Sequence, residues 1–499
     1  MDENTSMNLF DYLLEHAEAD KTAIIQEGQP TTYRELESMA DAVAGMLLQA
    51  GMTSRQKVGI IAENSPFWVA AYLGILKAGA TAAPLPSRLT IEELGRYIGV
   101  IGCRAFCIDN FLLKKYTSCL PAGSLLVPKN DILQCRSDVG NRESMHAVPV
   151  APQRDIASLM FTSGSTGQPN AVMVTHRNIQ ANTDSIVSYL GLNSSDRMMA
   201  ILPFHYCYGT SLLHTHLRVG GSLVLNNYFQ YVEDMLNEME TWECSGFAGV
   251  PSTYQTLLNN RSFRSRSFRA LRHLQQAGGK LPDKYISELR AVLPERIRIH
   301  IGYGQTEATA RLSALPPEKI VEKTGSIGRG IPGVTIEIVD SEGKAVMPGQ
   351  IGEIVASGKN VTAGYLLPDE AGNPFREGRL HTGDLAYADE DGFIYIVGRE
   401  KDFIKPSGYK VMTATIEQVL LEIPEIAEAA VVGVPHDQLG EAAKAFVVLK
   451  ENASCSAESI LDHCRTKLPA YAVPCCVEYM TEFPKNPAGK VSKKILKRE

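Results

Sequence analysis

The sequence predicts an α/β protein with a large N-terminal domain of parallel βαβ-type sheets, a β-rich subdomain and a small, mobile α+β C-terminal domain. Helical and apolar-strand patterns alternate over residues 32–301, strands with Gly, Pro and Asp turns begin near Gly333, and a mixed pattern follows Lys401. The 499 residues are also too many for one hydrophobic core. We therefore expect a large domain over residues 1–400, β-rich from about residue 333, and a small domain over residues 401–499.

The clearest βαβ unit begins at Thr32. Thr32 and Glu35 have the spacing of a capping box, and an apolar helical face follows them. An apolar strand over residues 58–62 comes next, and Ser65 and Pro66 fit the N-cap and first position of a second helix. Another short strand follows that helix, so a parallel sheet covered by helices is expected.

The later elements follow from the same patterns. Further strands are predicted at residues 198–202, 222–225, 247–250 and 297–301. In the C-terminal region we predict strands at residues 428–434 and 442–449 and helices near residues 416–421 and 457–468. The segment 398–402 is the expected domain boundary.

Composition limits the classes of partner. The net charge of −7, from 49 basic and 56 acidic residues, argues against bulk binding to nucleic acid or to an anionic membrane. The longest apolar stretches are interrupted by Lys77 and Arg104 and are too short to span a bilayer. The ten cysteines lack zinc-ligand spacing, and the first residues carry acid where a secretory signal carries base. We expect a cytoplasmic protein with reduced thiols, no nucleic-acid partner and no membrane span, with a homodimer as an open alternative.

One loop has the composition of a phosphate-binding site. Six consecutive residues combine four hydroxyl groups with two glycines: Thr162, Ser163, Gly164, Ser165, Thr166 and Gly167. The glycines permit positive φ and close backbone approach, and the hydroxyls can donate to phosphate oxygens. Apolar runs at residues 156–161 and 171–174 predict strand–loop–strand, and no Gly-Lys pair in the chain is followed by Ser or Thr, so a Walker loop is excluded. The hexapeptide alone also fits a surface turn, but the other motifs favour phosphate.

The loop is the first of seven motifs that occur in the order found in the adenylate-forming enzymes, which include the acyl-CoA synthetases. The motifs begin at Thr162, Leu202, Gly302, His381, Gly398, Gly408 and Asn486. The chain resembles the acyl and aryl acid branch of this family over nearly its full length. The resemblance implies that a carboxylate attacks ATP to give an acyl adenylate and pyrophosphate, after which a thiol displaces AMP. It implies ATP, Mg²⁺ and CoA, or the phosphopantetheine of a separate carrier protein, as cosubstrates.

The resemblance also assigns site residues. It gives ATP binding to the six loop residues and to Gly302, Tyr303, Gly304, Asp384, Arg399 and Lys490. It gives catalysis to His205, Thr306, Glu307 and Lys490, Mg²⁺ binding to Glu307 and Thr166, the hinge to Lys401 and the thiol channel to Gly408. These residue types suit the reaction, because displacement at phosphorus depends mainly on positioning and on electrostatic stabilisation.

The expected acyl pocket consists mostly of small or apolar residues. By resemblance its lining is His205, Tyr206, Val250, Tyr254, Ala277, Gly278, Gly279 and Ala308. Family members that activate amino acids carry an aspartate after the phenylalanine, where this chain has His205. A fatty or aryl acid is therefore expected rather than an amino acid.

One departure from the family pattern affects the phosphate loop. The family usually continues with Lys-Gly where this chain has Asn170 and Ala171, which removes a positive charge beside the pyrophosphate. Slower adenylation is expected. Three alternatives remain: an acyl- or aryl-CoA ligase, a stand-alone adenylation enzyme that loads a carrier protein, and a nucleotide-binding protein without turnover.

Overall fold

The computed structural model describes residues 7–137, 145–163, 169–367, 372–399, 402–409, 411–484 and 491–497. The α-helices of these residues are α1 Leu9–Leu14, α2 Tyr33–Gln49, α3 Pro66–Lys77, α4 Ile91–Ile101, α5 Asn110–Tyr116, α6 Lys129–Gln134, α7 His176–Leu190, α8 Cys207–Arg218, α9 Val232–Thr241, α10 Pro251–Asn259, α11 Arg261–Ser265, α12 Asp283–Val292, α13 Thr413–Leu420, α14 Ala457–Lys467 and α15 Lys493–Leu496.

The strands of these residues are β1 Thr22–Gln26, β2 Gln29–Thr32, β3 Lys57–Ile61, β4 Thr81–Leu85, β5 Ala105–Ile108, β6 Leu125–Pro128, β7 Ile156–Ser163, β8 Pro169–Thr175, β9 Arg197–Ala200, β10 Ser222–Leu225, β11 Gly246–Gly249, β12 His273–Gln276, β13 Arg298–Tyr303, β14 Ser313–Leu315, β15 Arg329–Gly330, β16 Val334–Val339, β17 Gly352–Gly358, β18 Phe375–Arg376, β19 Arg379–Ala388, β20 Ile394–Arg399, β21 Phe403–Ile404, β22 Val411–Met412, β23 Ile426–His436, β24 Gly440–Leu449 and β25 Cys476–Tyr479.

Two largely parallel sheets form the large domain. The first has the order β15-β14-β13-β12-β11-β9-β10-β1-β2 and is parallel from β13 to β1. The second has the order β6-β5-β3-β4-β7-β8, and its last strand, β8, pairs antiparallel with β7. One large apolar core joins side chains of both sheets with side chains of α2, α3, α7 and α8. The helices α7 and α8 therefore bring residues from the two sheets together.

Two smaller units follow in the sequence. Strands β16 to β20 form an antiparallel sheet with the order β16-β17-β19-β18, in which β20 also pairs with β19. Near the C-terminus, β23, β24 and β25 form a sheet that shares an apolar core with α13 and α14. The predicted fold class is confirmed: an α/β protein with a large parallel-sheet domain and a smaller C-terminal domain.

The sequence patterns placed most elements within a few residues. Thr32 and Glu35 form the predicted capping box of α2, and the Ser65 side chain caps α3, with Pro66 at its start. Strand β12 was not predicted, because His273–Gln276 contains a histidine and two glutamines and so shows no apolar run. All four of its residues are nevertheless buried, since β12 lies between β11 and β13 in the middle of the first sheet.

The C-terminal domain contacts the large domain through α12. Lys284 Nζ donates to the carbonyl oxygens of Leu421 at 3.1 Å and Ile426 at 3.4 Å, and the Tyr285 hydroxyl donates to that of Ala427 at 3.3 Å. We call these three hydrogen bonds the interdomain latch.

Within the described ranges, no helix has both the length and the apolar character needed to cross a membrane.

Candidate active site

The predicted phosphate loop is carried by a β-hairpin. Strands β7 and β8 pair antiparallel up to Ser163 and Pro169, so the expected strand–loop–strand arrangement is confirmed. Thr162 pairs with Asn170, which places their side chains on the same face of the hairpin. The loop residues Gly164, Ser165, Thr166 and Gly167, and the side chain of Ser163, lie outside the described residues.

Glu307 is anchored by a tyrosine from a distant segment. The Tyr365 hydroxyl donates to Glu307 Oε1 at 2.7 Å, and Thr362 donates to the Glu307 carbonyl oxygen from its amide at 3.0 Å and from its hydroxyl at 2.9 Å. Thr306 precedes Glu307 in the same short 3₁₀ turn, with its hydroxyl 3.4 Å from Cys207 Sγ at the start of α8. A buried carboxylate with a fixed orientation is suited to hold a divalent cation.

A strained residue follows this turn. Thr309 has φ +70° and ψ −58°, and it forms a γ-turn closed by a 2.8 Å hydrogen bond from the Ala310 amide to the Ala308 carbonyl. Positive φ is unfavourable for a β-branched residue. The Thr309 hydroxyl donates to the Asn360 carbonyl at 2.7 Å, which helps to hold the strained backbone next to Glu307.

Three of the residues assigned to the nucleotide form one hydrogen-bonded cluster. The Tyr303 hydroxyl donates to Asp384 Oδ2 at 2.6 Å, and Arg399 Nε donates to Asp384 Oδ1 at 2.7 Å. Asp384 and Arg399 lie opposite each other on the paired strands β19 and β20. Burial, and then the Asp384 carboxylate, raises the pKa of Tyr303 well above its usual value, so its hydroxyl stays protonated. Each Asp384 oxygen keeps a lone pair that can accept a ribose hydroxyl.

His205 follows the buried Phe204 just before α8. Burial lowers the pKa of His205 to about 3, so the imidazole is neutral at physiological pH. Its Nε2 is buried and has no hydrogen-bond partner among the described residues. The ring lies beside that of Tyr206, with 4.4 Å between the centroids. A neutral, unpaired ring nitrogen suits a wall of a substrate pocket better than a proton donor.

Two adjacent loops carry Val250 and residues 277–279, whereas Tyr254 lies in α10 and Ala308 in the 3₁₀ turn of Glu307. Gly278 has φ +86°, and a Cβ at this position would lie 3.1 Å from Val250, so the two loops are in close contact. Ala277 and Ala308 are buried, whereas Gly279 and the neighbouring Lys280 are exposed. Tyr254 is fully buried, and its hydroxyl donates to the Gln275 carbonyl.

The two glycines assigned to ATP binding are also required by packing. A Cβ at Gly302 would collide with Nη1 of Arg311 and would lie 2.9 Å from its Cζ. A Cβ at Gly304 would collide with the Ala310 carbonyl and would lie 2.8 Å from Arg311 Cα. The segment after the γ-turn therefore folds back onto the motif and leaves no room for side chains there.

Some of the predicted residues cannot be compared with the rest of the site. Lys490 and Lys401 lie outside the described residues. Gly408 is described: it has φ +84° and lies exposed at the end of a 3₁₀ turn in the C-terminal region. The two buried histidines of α8, His214 and His216, belong to the packed interior, where the Tyr72 hydroxyl lies 3.0 Å from His214 Nε2.

Sequence reasoning missed three residues near the site. Tyr365 binds a carboxylate 58 residues away in the sequence. Arg311 and Gln275 are buried polar residues in segments that no motif covers. No local pattern marked them, because Gln275 lies in the polar strand β12 and Arg311 lies in the connection before β14.

Comparison with known proteins gives the family. The AMP-binding enzyme family matches residues 14–366, and the AMP-binding enzyme C-terminal domain matches residues 415–490. A long-chain-fatty-acid–CoA ligase of Escherichia coli O157:H7 is 32% identical, covering 96% of this chain and 92% of the relative. A feruloyl-CoA synthase of an Amycolatopsis species is 32% identical, covering 96% and 95%.

Solved structures agree with these relatives. The anthranilate CoA ligase AuaEII in complex with anthranoyl-AMP superposes with a TM-score of 0.89 at 27% identity, covering 100% of this chain and 98% of that one. The o-succinylbenzoate CoA synthetase MenE of Bacillus subtilis with ATP and a magnesium ion has a TM-score of 0.84 at 26% identity, with 98% of both chains covered.

The chain therefore belongs to the AMP-binding enzyme family. It is an acid–thiol ligase of the acyl-CoA synthetase type, for which ATP, Mg²⁺ and CoA are the cosubstrates.

Proposed function

We propose that this chain activates a carboxylic acid without an α-ammonium group, using ATP and Mg²⁺ at the site that contains Tyr303, Glu307 and Asp384. The hydrogen bond of 2.6 Å between the Tyr303 hydroxyl and Asp384 carries the proposal. It joins two motifs, 81 residues apart in the sequence, that the family resemblance assigns to a single nucleotide. If Asp384 only capped a turn and Arg399 only formed a surface ion pair, this hydrogen bond between the two motifs would have no explanation.

Some of the site residues bind the ribose of the nucleotide, and the others act at its phosphates. Asp384 accepts the ribose hydroxyls, and Arg399 orients its carboxylate across the strand pair. Glu307 holds Mg²⁺, which offsets the negative charge of the phosphates, and Tyr365 fixes the Glu307 carboxylate. Thr306 donates to phosphate. Lys490 supplies a cation to the reacting carboxylate and the α-phosphate.

The acid lies beside His205. No acidic side chain follows Phe204, so nothing there pairs with the ammonium group of an amino acid. The neutral imidazole forms one wall of the pocket, with Val250, Ala277 and Ala308 as further small apolar surfaces. A fatty or aryl acid fits this environment.

The thiol acceptor is CoA, as in the relatives named above. The exposed Gly408 lies on the proposed path of the thiol. The phosphopantetheine of a separate carrier protein has the same reactive end and is the alternative acceptor. The proposed site is contained within one chain, whether or not the protein forms a homodimer.

A substrate panel tests the proposal. Carboxylic acids are offered with ATP and Mg²⁺, with and without CoA, and AMP, pyrophosphate and thioester are measured. We expect AMP and pyrophosphate in a 1:1 ratio that depends on the acid, and thioester only with CoA. Release of ADP and phosphate, or nucleotide binding without turnover on any acid, would contradict the proposal. Thioester formation on a carrier protein but not on CoA would identify the alternative acceptor.

A further inference from the structure

Arg311 is a buried cation without an anionic partner. Arg311 is 3% exposed. Within the described residues it forms no salt bridge, and its Nη2 atom has no hydrogen-bond partner. Burying an ionised group without a partner is unfavourable, so buried charges in proteins are almost always paired. The described residues supply no anion to this guanidinium group.

The protein holds Arg311 in place without neutralising it. Asn182 and Asn360 donate to its carbonyl oxygen at 2.9 Å and 3.0 Å, which fixes its backbone. The guanidinium lies over Gly302, with its Cζ 4.9 Å from the centre of the Tyr208 ring. A cation–π contact of this kind attracts the guanidinium, but the ring carries no full negative charge that would neutralise it.

A second unsatisfied group lies on the same side of the sheet. Gln275 is 1% exposed, and neither its Nε2 nor its Oε1 has a partner among the described residues. It pairs in register with His300 on β13, so its side chain lies on the same face of the sheet as that of His300, the face over which Arg311 packs at Gly302. The Tyr208 hydroxyl donates to the main-chain carbonyl of Gln275 at 3.1 Å while its ring faces Arg311. Tyr208 thus contacts both residues.

The surroundings are positive or neutral. Burial lowers the pKa of His300 to about 3, and the neighbouring His273, Arg298 and Arg311 lower it further. His300 therefore adds no proton and no negative charge at physiological pH. The tyrosines near Arg311, Tyr189 and Tyr208, have pKa values raised by burial and stay neutral.

This group of residues is next to the proposed acid site. Tyr208 follows Cys207, whose sulfur is 3.4 Å from the Thr306 hydroxyl. Gly302 and Thr306 belong to one motif, so Arg311 lies against the segment that positions the reacting phosphate. Through these contacts, Tyr208 of α8 and Gln275 of β12 lie close to the segment that carries Thr306.

We propose that Arg311 and Gln275 form an anion-binding end of the acyl pocket, and that the preferred acid carries a second carboxylate. The inference rests on the proposed function, because it requires that an acid bind at this site. The distal carboxylate accepts from Arg311 Nη2 and from Gln275 Nε2. The first carboxylate is the one that becomes the acyl adenylate.

Matched acid pairs test the inference without any substitution. Aliphatic and aromatic dicarboxylic acids are each compared with the monocarboxylic acid of the same carbon count, and acid-dependent pyrophosphate release is measured. Because hydrogen bonds to charged groups contribute about 1.5–3 kcal/mol, we expect kcat/KM to favour the dicarboxylate in at least one pair by about 10- to 100-fold. A preference for the monocarboxylate in every pair would overturn the inference. Absence of turnover with all acids would instead contradict the proposed function.

Variants assign the preference to these residues. Arg311→Leu should lower the ratio of kcat/KM for the dicarboxylate to kcat/KM for the monocarboxylate by about 10- to 100-fold, mainly through the KM of the dicarboxylate. Gln275→Leu should shift the same ratio by a smaller factor and serves if Arg311→Leu does not fold. Arg298→Leu is the matched control, since it removes an exposed arginine from the same sheet. Equal losses for both acids in the Arg311 and Gln275 variants would show a structural role and overturn the inference.

Discussion

Glu307 owes its orientation to Tyr365, so the two residues should affect Mg²⁺ in related ways. Glu307→Gln should lower the adenylation rate by about 10²-fold or more and weaken its dependence on Mg²⁺, because the ion loses its carboxylate ligand. Tyr365→Phe should raise the Mg²⁺ concentration needed for half-maximal rate, with a loss in rate of about tenfold at low Mg²⁺ that excess Mg²⁺ restores. Rates are measured across a Mg²⁺ titration.

The control for this pair of variants is Tyr479→Phe. It removes the same hydroxyl from an exposed tyrosine that donates to the Cys455 carbonyl at 2.7 Å in the C-terminal region. An unchanged Mg²⁺ titration in Glu307→Gln would remove Glu307 from the metal site.

Asn170 is the second residue for which a substitution should have a defined effect on the adenylation rate. Its side chain lies on the same face of the hairpin as Thr162, so a lysine at this position would place a charge beside the phosphate loop. Asn170→Lys should raise the adenylation rate without changing the order of preferred acids. Asn170→Met, of similar length without charge, should not. Equal or lower rates in the lysine variant would show that its charge does not assist the departure of pyrophosphate.

At the scale of elements, the sequence patterns predicted those helices and strands whose formation depends on neighbouring residues. The capping box at Thr32 and the strands on both sides of the phosphate loop could be predicted because their signals lie within a few neighbouring residues. Strand β12 could not, because its polar residues are buried only through pairing with β11 and β13. The contact between Tyr365 and Glu307 depends on tertiary packing, about which local periodicity carries no information.

The interdomain latch leads to a prediction about the two half-reactions. We expect the latch to hold the two domains in one arrangement, and we assign that arrangement to acyl-adenylate formation. Lys284→Ala removes two hydrogen bonds and should slow acyl-adenylate formation by about 3- to 10-fold, while leaving thioester formation from supplied acyl adenylate unchanged. Lys319→Ala, a surface lysine of the large domain, is the control. Equal losses in both half-reactions would contradict this role.

Variants of Lys490 and Lys401 should separate the same two steps. Lys490→Ala should abolish acyl-adenylate formation but spare thioester formation from supplied acyl adenylate, because its charge is needed only while the carboxylate attacks the α-phosphate. Lys401→Pro fixes φ near −65° at the proposed hinge and should do the reverse. Both half-reactions are measured by chromatography. A variant that loses both steps equally would show that the domain does not alternate between two arrangements.

At the scale of the whole molecule, buried histidines should make the fold sensitive to acid. Burial lowers the pKa of His176 and His273 to about 4 and of His214 and His300 to about 3, and it also lowers that of His216. Between these values and about 6.5 the unfolded chain binds protons that the folded chain does not, so stability present above about pH 6.5 is lost as the pH falls. Each such histidine contributes about 1.4 kcal/mol per pH unit.

Urea unfolding at several pH values measures this slope. The free energy of unfolding should fall steeply between about pH 6.5 and about pH 5. His214→Gln should reduce the slope by about one proton, whereas His16→Gln, at an exposed position, should leave it unchanged. A flat free energy across this range would show that these histidines are protonated in the folded chain.

The interdomain latch also affects which substitutions the C-terminal domain can accept during evolution. All three of its acceptors are main-chain carbonyl oxygens, those of Leu421, Ile426 and Ala427, and every amino acid supplies such an oxygen. Substitutions of side chains in the C-terminal domain therefore leave these hydrogen bonds intact as long as the backbone conformation is unchanged. Among the described residues, Lys284 and Tyr285 supply the side chains of these three hydrogen bonds, so recombination that replaces the C-terminal domain can keep the latch when both are retained.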